Sequence, residues 1–254
     1  MLVDDPTDPP DDTVIWRYIP LTRLRTILDG QLFCTRPYKF AGDFWEGQYP
    51  PAYARNLKRA VDADEFKEEF ARRLKIHKYA HFVSCWNICQ YEVDWMWTNY
   101  GKAPDGVAIQ STVGKLKRCV RPHNWGRVQY YDPAEELTCS NAFGNPPDIL
   151  YKRRGYNPEA EFRIWFNDDQ LLEWIEQNMD TDIDEAKLKE MNEETFKGKK
   201  YPISPLPDLV TNLVVAPHGN IDKVKTMCHE AGKSLLARLV TRSALDRPPS
   251  AFMD

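Results

Sequence analysis

Apolar positions along the chain mark out short strands and short amphipathic helices in irregular alternation. Val14–Ile19 is β-branched and aromatic and predicts a strand. Leu21, Leu24, Ile27 and Leu28 recur at helical spacing, predicting a helix over Leu21–Asp29 that Gly30 stops. Gln31–Arg36 predicts a second strand, ended by Pro37. A Gly- and Pro-punctuated aromatic loop follows from Tyr38 to Pro51. Asp62, with Glu65 in capping-box register, opens a helix carrying Phe66, Phe70 and Leu74 on one face. His81–Trp86 predicts a strand, Tyr91–Tyr100 a short aromatic helix, and Gly106–Gln110 and Gly126–Tyr131 two more strands.

Glu161–Phe166 is the most legible strand of all. Asp168–Asn178 and Asp182–Phe196 predict helices, and Pro202, Pro205 and Pro207 break regular structure before the strand Leu209–Ala216. Asn220 caps a last helix, which gathers Val224, Met227, Cys228 and Ala231 on one side and stops at Gly232. Leu235–Val240 predicts a closing strand. There is no internal repeat. The expected fold is α+β, one compact domain over residues 13–254 with mixed and antiparallel sheets. Ahead of it, Met1–Asp12 is acidic and Pro-rich and is expected to be a flexible, solvated tail. The alternative is that this tail folds back onto Lys152-Arg153-Arg154 as a phosphate mimic.

Composition narrows the function classes. Of 254 residues 42% are hydrophobic and 28% charged, as in soluble globular proteins. No apolar run approaches eighteen residues and the N-terminus lacks a signal-peptide pattern, so a cytoplasmic protein without a membrane partner is expected. The net charge is −4, of which −5 falls on Asp4, Asp5, Asp8, Asp11 and Asp12, leaving the body at +1. That body has no broad basic field of the kind a nucleic-acid binder carries. Lys115, Lys117, Arg118 and Arg121, and Lys197, Lys199 and Lys200, read as solvated basic faces. The six cysteines and five histidines fall in no metal-ligand spacing, so no metal site is expected and the thiols read as reduced.

Candidate chemistry concentrates in Glu159-Ala160-Glu161-Phe162-Arg163-Ile164-Trp165-Phe166. Strand alternation would put Ala160, Phe162, Ile164 and Phe166 on one face and Glu159, Glu161, Arg163 and Trp165 on the other. The second face is either a solvated surface with a local ion pair or a working pair of carboxylates beside a guanidinium. Arg17 lies between Ile15 and Ile19, opposite Trp16 and Tyr18, so it should project into apolar surroundings. A buried arginine needs an anionic partner: a structural one, Glu161 or Glu46, or a ligand phosphate held bidentately. Asp43 and Glu46 sit among Phe44 and Trp45. Met96 and Tyr100 should share a helical face, as core or as a stacking surface. Ser84 and Asn87 lie at the end of an apolar strand. Hydrolase-elbow, P-loop and dinucleotide-fold motifs are absent.

In their order these segments resemble a mainly bacterial domain-of-unknown-function family, the one numbered twenty-nine seventy-one. Its aromatic-Arg-Tyr strand is matched by Trp16-Arg17-Tyr18, and its L-x-x-S/T-x-P strand end by Leu32–Pro37. Its N-D-P-F-E loop is echoed by Gly42-Asp43-Phe44-Trp45-Glu46, with Gly42 and Phe44 in place of Asn and Pro. The V-S-C-W strand is Val83–Trp86, followed here by Asn87 where His is common, and the M-W-x-x-Y helix is Met96–Tyr100. The G-V-A-I strand is Gly106–Ile109, the V-x-Y-x-D segment Val128–Asp132, and the K-R…E-x-E-x-R block Lys152-Arg153 with Glu159–Arg163. The likeness runs from Val14 to Leu245.

Arg17, Ser84 and Glu159/Glu161 also resemble the Arg-Ser-Glu clade of ADP-ribosyltransferases. That resemblance implies a split-sheet fold and an NAD-consuming enzyme, a bacterial toxin or phage-defence effector. Such an enzyme would transfer ADP-ribose to a macromolecular acceptor, protein or nucleic acid, or hydrolyse NAD. It implies Glu161 as the carboxylate that stabilises the developing oxocarbenium ion and Glu159 as the group that orients the acceptor or polarises water. Arg17 would hold pyrophosphate or ribose, Ser84 would support Glu161, Trp97 or Tyr100 would stack on nicotinamide, and Arg163 would complete the binding set. Two other readings compete. One is a Mg²⁺-dependent nuclease or phosphoesterase using Asp43, Glu46, Glu159 and Glu161. The other is a non-catalytic module whose aromatic loop, Phe44 to Tyr53, recognises a partner.

Overall fold

The structure, a computed structural model, describes residues 8–40, 55, 58, 63–132 and 148–246. In chain order its elements are β1 (Val14–Pro20), α1 (Leu24–Leu28), β2 (Gln31–Thr35), α2 (Ala63–Tyr79), β3 (His81–Ile88), a helical segment 94–101, β4 (Gly106–Thr112) and α3 (Val113–Val120). There follow β5 (Asn124–Arg127), β6 (Gln129–Tyr131), β7 (Tyr151–Arg153), β8 (Glu161–Asn167), α4 (Asp169–Gln177) and α5 (Glu185–Met191). Then come β9 (Gly198–Pro202), α6 (Leu206–Leu209), β10 (Asn212–Val215), α7 (Ile221–Glu230), α8 (Ser234–Arg238) and β11 (Val240–Arg242). The fold is α+β with mixed, mostly antiparallel strand pairing: β6–β7 and β10–β11 run parallel, and β1–β3, β1–β4, β4–β10, β2–β3 and β5–β8 antiparallel. Among the described residues no helix is long and apolar enough to cross a membrane. Two compact units divide the chain, Met1–Asp8, Cys34–Ser84 and Pro122–Lys199 in the first, Pro9–Phe33, Cys85–Arg121 and Lys200–Asp254 in the second.

In the second unit β1 pairs along its whole length with β4, placing Arg17 opposite Ile109 and Tyr18 opposite Ala108. The expected alternation holds on one face: Trp16 and Tyr18 are buried with Met96, Trp97, Ala108, Val214 and Ala216. The Tyr18 ring meets Trp97 edge-on at 4.9 Å, and its hydroxyl accepts from the Val93 N–H at 3.0 Å. Burying Trp16 and Tyr18 of β1 against Met96 and Trp97 removes four large apolar side chains from water in one layer. Glu92 clasps the same layer, accepting from Trp97 Nε1 at 3.1 Å, Ser243 Oγ at 2.5 Å and the Ala244 N–H at 2.8 Å.

Met96 and Tyr100 do not share a face as predicted. Met96 is buried but Tyr100 is 41% exposed, because residues 97–101 form a wider π turn in which positions four apart no longer stack. The segment closes on glycines: a Cβ at Gly106 would lie 1.9 Å from the Gly101 carbonyl oxygen. Gly106→Ala is therefore expected to cost about 1–3 kcal/mol in a denaturant titration, as overpacking against backbone does. An unchanged midpoint would mean that the loop can move aside.

A second sequence expectation fails in this unit. Leu235–Val240 is not a strand: Ser234–Arg238 is helical and only Val240–Arg242 pairs, with β10. A short apolar run has no period that separates strand from helix. Part of the acidic segment lies against α3. Gly114 N–H donates to Asp11 O and Val113 N–H to Thr13 O, so this backbone satisfies the exposed amides that open α3. The Asp11 carboxylate lies 3.7 Å from both Lys117 and Arg118, so the segment meets that basic cluster. Residues 1–7 lie outside the described residues.

In the first unit β8 pairs with β5 and β3, and Gly126 stands opposite Arg163. The predicted strand Gly126–Tyr131 is two strands, broken at Val128, whose N–H donates to the Glu161 carbonyl at 2.9 Å. Phe66 and Phe70 of α2 pack on Tyr131 and Tyr151, as their shared face predicts. The predicted helix over Asp182–Phe196 shortens to α5, because the Asn192 side chain accepts from the Glu194 and Thr195 amides and turns the chain. Arg36 is buried and donates to Asp168 Oδ2 at 2.5 Å, to the Thr195 carbonyl at 3.1 Å and to the Tyr79 carbonyl. Its guanidinium also lies 4.1 Å from the Phe82 ring centroid.

Candidate functional site

The E-x-E segment is built differently from a continuous strand. β7 delivers Lys152, a 3-10 turn over residues 154–159 delivers Glu159, and β8 begins only at Glu161. Between the carboxylates Ala160 is left-handed, at φ 41°. That one residue re-aims Glu159, so the predicted Glu159–Glu161–Arg163 strand face does not form. The side chains converge nonetheless. Lys152 Nζ donates to Glu161 Oε1 at 2.6 Å and to Glu159 Oε2. Arg163 Nε donates to Glu161 Oε2 at 2.6 Å and its Nη1 to the Ile149 carbonyl at 2.7 Å. The Tyr130 hydroxyl accepts from the Glu161 N–H.

All four charged groups are at most 7% exposed, so the solvated-face reading of this segment is overturned. Charges removed from water persist only when each has a partner, and here cations and anions alternate along the network. The two carboxyls are driven apart. Burial and the neighbouring Glu161 raise the Glu159 carboxyl to about 7, against the pull of Lys152. Burial opposes ionisation of Glu161 too, yet Arg163, the hydrogen bond from Glu159 and Lys152 together hold it well below the usual carboxylate range. Near neutrality the pair therefore holds one fixed anion and one exchangeable proton.

The other candidates lie as follows. Arg17, half-buried in the second unit, donates through Nη2 to the Phe33 carbonyl at 3.0 Å and sits 5.8 Å from the Trp86 ring. With Ile19, Arg23, Thr26, Ile27 and Phe33 it lines a cavity of about 280 Å³. Trp97 belongs to the core, its indole N–H on Glu92, while Tyr100 faces outward 6.1 Å from Trp95. Ser84 is buried on β3, in the first unit. Of the predicted set, then, Glu159, Glu161 and Arg163 come together, and Trp97 and Tyr100 part within one turn. Asp43, Glu46 and the loop Phe44 to Tyr53 lie outside the described residues, and among those that are described no group of His, Cys, Asp and Glu could hold a metal ion.

Sequence reasoning missed Lys152 as the hub of the network and Arg36 as a buried cation with three hydrogen-bonded partners. Lys152 belongs to a three-residue strand too short to carry a period. Its burial arises from the packing of the turn that follows. No protein-family model, curated protein or solved structure matches the chain.

Proposed function

We propose that the protein is a cytoplasmic NAD-consuming enzyme of the ADP-ribosyltransferase type, with that class's split-sheet fold, transferring ADP-ribose to a macromolecule or to water. The observation that carries the reading is the convergence of two buried carboxylates, Glu159 and Glu161, on Lys152, in surroundings that raise the first and lower the second. The C1′–N bond to nicotinamide breaks, nicotinamide leaves with the electron pair, and positive charge develops on the ribose. Glu161 stabilises that charge, as carboxylates do in glycoside cleavage. The acceptor or water then attacks C1′ and gives its proton to Glu159. The ADP-ribosyltransferase likeness assigns phosphate or ribose to Arg17, which lines its cavity with a second arginine, Arg23. Stacking on nicotinamide falls to Tyr100, since Trp97 is enclosed.

One observation favours a second reading, the non-catalytic binding module: Lys152 and Arg163 already engage both carboxylates. Incubation with labelled NAD decides between them. Nicotinamide release or label on a macromolecule is expected. Arg17→Lys should retain the fold and raise the KM for NAD about tenfold, because a point ammonium cannot reproduce a two-donor fork. No release from NAD, together with Mg²⁺-dependent cleavage of a nucleic acid, would move the function to the nuclease class. Inertness towards both would leave the binding module.

A further inference from the structure

In the last turn of α2, within the first unit, His77 is 2% exposed, and neither of its ring nitrogens meets a hydrogen-bond partner among the described residues. Buried polar groups are nearly always bonded, so an imidazole with both nitrogens unengaged calls for a reason. His81, which opens β3, has its Nδ1 unpartnered as well, while its ring bonds to the Asn167 side chain at the end of β8. The charges that reach His77 are His81 on β3, Arg163 on β8 and Lys78 on its own helix. The charge that reaches His81 is Arg36. Each of these is a cation or becomes one by taking up a proton, and the Glu161 carboxylate is already engaged by Arg163 and Lys152.

A proton on either ring would place a new charge out of water and beside other cations. Burial accordingly holds His77 well below the ordinary histidine range and pushes His81 down to about 4. Once in water, each ring takes up a proton below about pH 6.5. An opened form thus holds protons that the closed form refuses, and its population rises about tenfold per pH unit below that value for each histidine exposed. The two rings lie on one short link between α2 and β3, so a single movement exposes both. That movement has to break the Arg36 bond to the Tyr79 carbonyl and the Lys75 bond to the Thr181 carbonyl. α2 also lays Phe66 and Phe70 on Tyr131 and Tyr151, so its departure bares the strand pair that carries Lys152.

We propose that His77 is an acid-sensitive latch of the first unit: in mild acid the end of α2, with His81, lifts away from β8, and the ring, protonated in water, does not re-enter. The latch is independent of NAD turnover, because amide hydrogen exchange of the full chain reads it. Protection over residues 70–81, corrected for the intrinsic rate, is expected to fall about a hundredfold between pH 7.5 and pH 5.5, tenfold for each histidine. In His77→Leu, whose side chain is of similar size and needs no partner, the fall should be about tenfold, the share of His81. β1 and β4, which contain no histidine, should keep their protection in both proteins. Glu159 acts in the opposite sense over the same pH range, so two proteins that share it are compared segment by segment rather than by melting. The proposal falls if residues 70–81 lose no more protection than β1 and β4, or if His77→Leu loses as much as the parent. Should the leucine variant not fold, the parent decides alone. Its His77 ring is expected to stay neutral by NMR wherever α2 stays protected, and a ring that titrates near pH 6.5 on a protected helix would overturn the latch.

Discussion

Glu161→Gln is expected to cut nicotinamide release at least about a hundredfold, the scale on which a preorganised electrostatic contact to a transition state acts. Glutamine keeps the shape and one acceptor but removes the anion that both Lys152 and Arg163 contact. Lys152 then keeps Glu159 while Arg163 loses the Glu161 carboxylate, so the variant should also melt earlier. A second variant separates the two effects. In Glu159→Gln the replaced carboxyl already holds its proton in the folded protein below about pH 7, and below the ordinary carboxylate range, where the unfolded chain holds it too, stability should change little. As pH rises from the ordinary carboxylate range to about 7 the parent loses stability, because the unfolded chain releases the Glu159 proton while the folded protein still holds it; the loss is complete above pH 7, and the glutamine variant should not show it. Glu161 acts in the opposite sense, its contribution present above the usual carboxylate range and lost as pH falls towards its depressed value. The rate follows another course. A proton acceptor must be ionised, so turnover should climb through pH 7 in the parent and lose that limb in Glu159→Gln. Melting temperature and nicotinamide release measured across the same pH series read both. Full turnover by Glu161→Gln would remove that residue from the mechanism.

Arg36→Ala should destabilise the protein by about 2–5 kcal/mol, the cost of emptying a buried position and removing the donor from a half-buried carboxylate and two carbonyls. Asp168 would keep its second duty, accepting from the Leu171 N–H at the start of α4, but its Oδ2 would face no donor from Arg36. The carbonyls of Tyr79 and Thr195 lose their donor in the same change, and Phe82 loses the guanidinium against its face. Arg36→Lys should recover only a minor part, because one ammonium cannot aim in three fixed directions. Urea unfolding of the three proteins measures the differences. A loss under about 1 kcal/mol for the alanine variant would mean that water replaces the lost partners.

What the sequence made legible was whatever depends on near neighbours. Trp16 and Tyr18 declare a buried face by alternation alone, and Asn220 caps α7 as its position predicts, accepting from the Lys223 N–H at 2.9 Å. Phe66 and Phe70, four apart, find their common apolar partner. The rest depended on distant parts of the chain. β7 and β9, Tyr-Lys-Arg and Gly-Lys-Lys-Tyr-Pro, carry no apolar period and are strands only because of what they pair with. Glu159, Glu161 and Arg163 stood out in the sequence and do come together, but the geometry that joins them was not legible, since nothing in the alternation announces a left-handed alanine between two glutamates. Lys152 was visible as a basic residue and invisible as a hub: seven positions from Glu159, it meets it only through the turn between them.

The Glu92 clasp bears on the order of events in folding. Its indole donor, Trp97, is five positions away and forms within a local turn, whereas Ser243 is 151 positions away. Closing so long a loop carries an entropic cost that contacts made earlier must already have reduced. Non-local contacts of this span are the slow part of a folding reaction. Of the three groups that donate to this carboxylate one is local and two close the long loop, so those two are expected to form last as the second unit folds and to be released first as it opens.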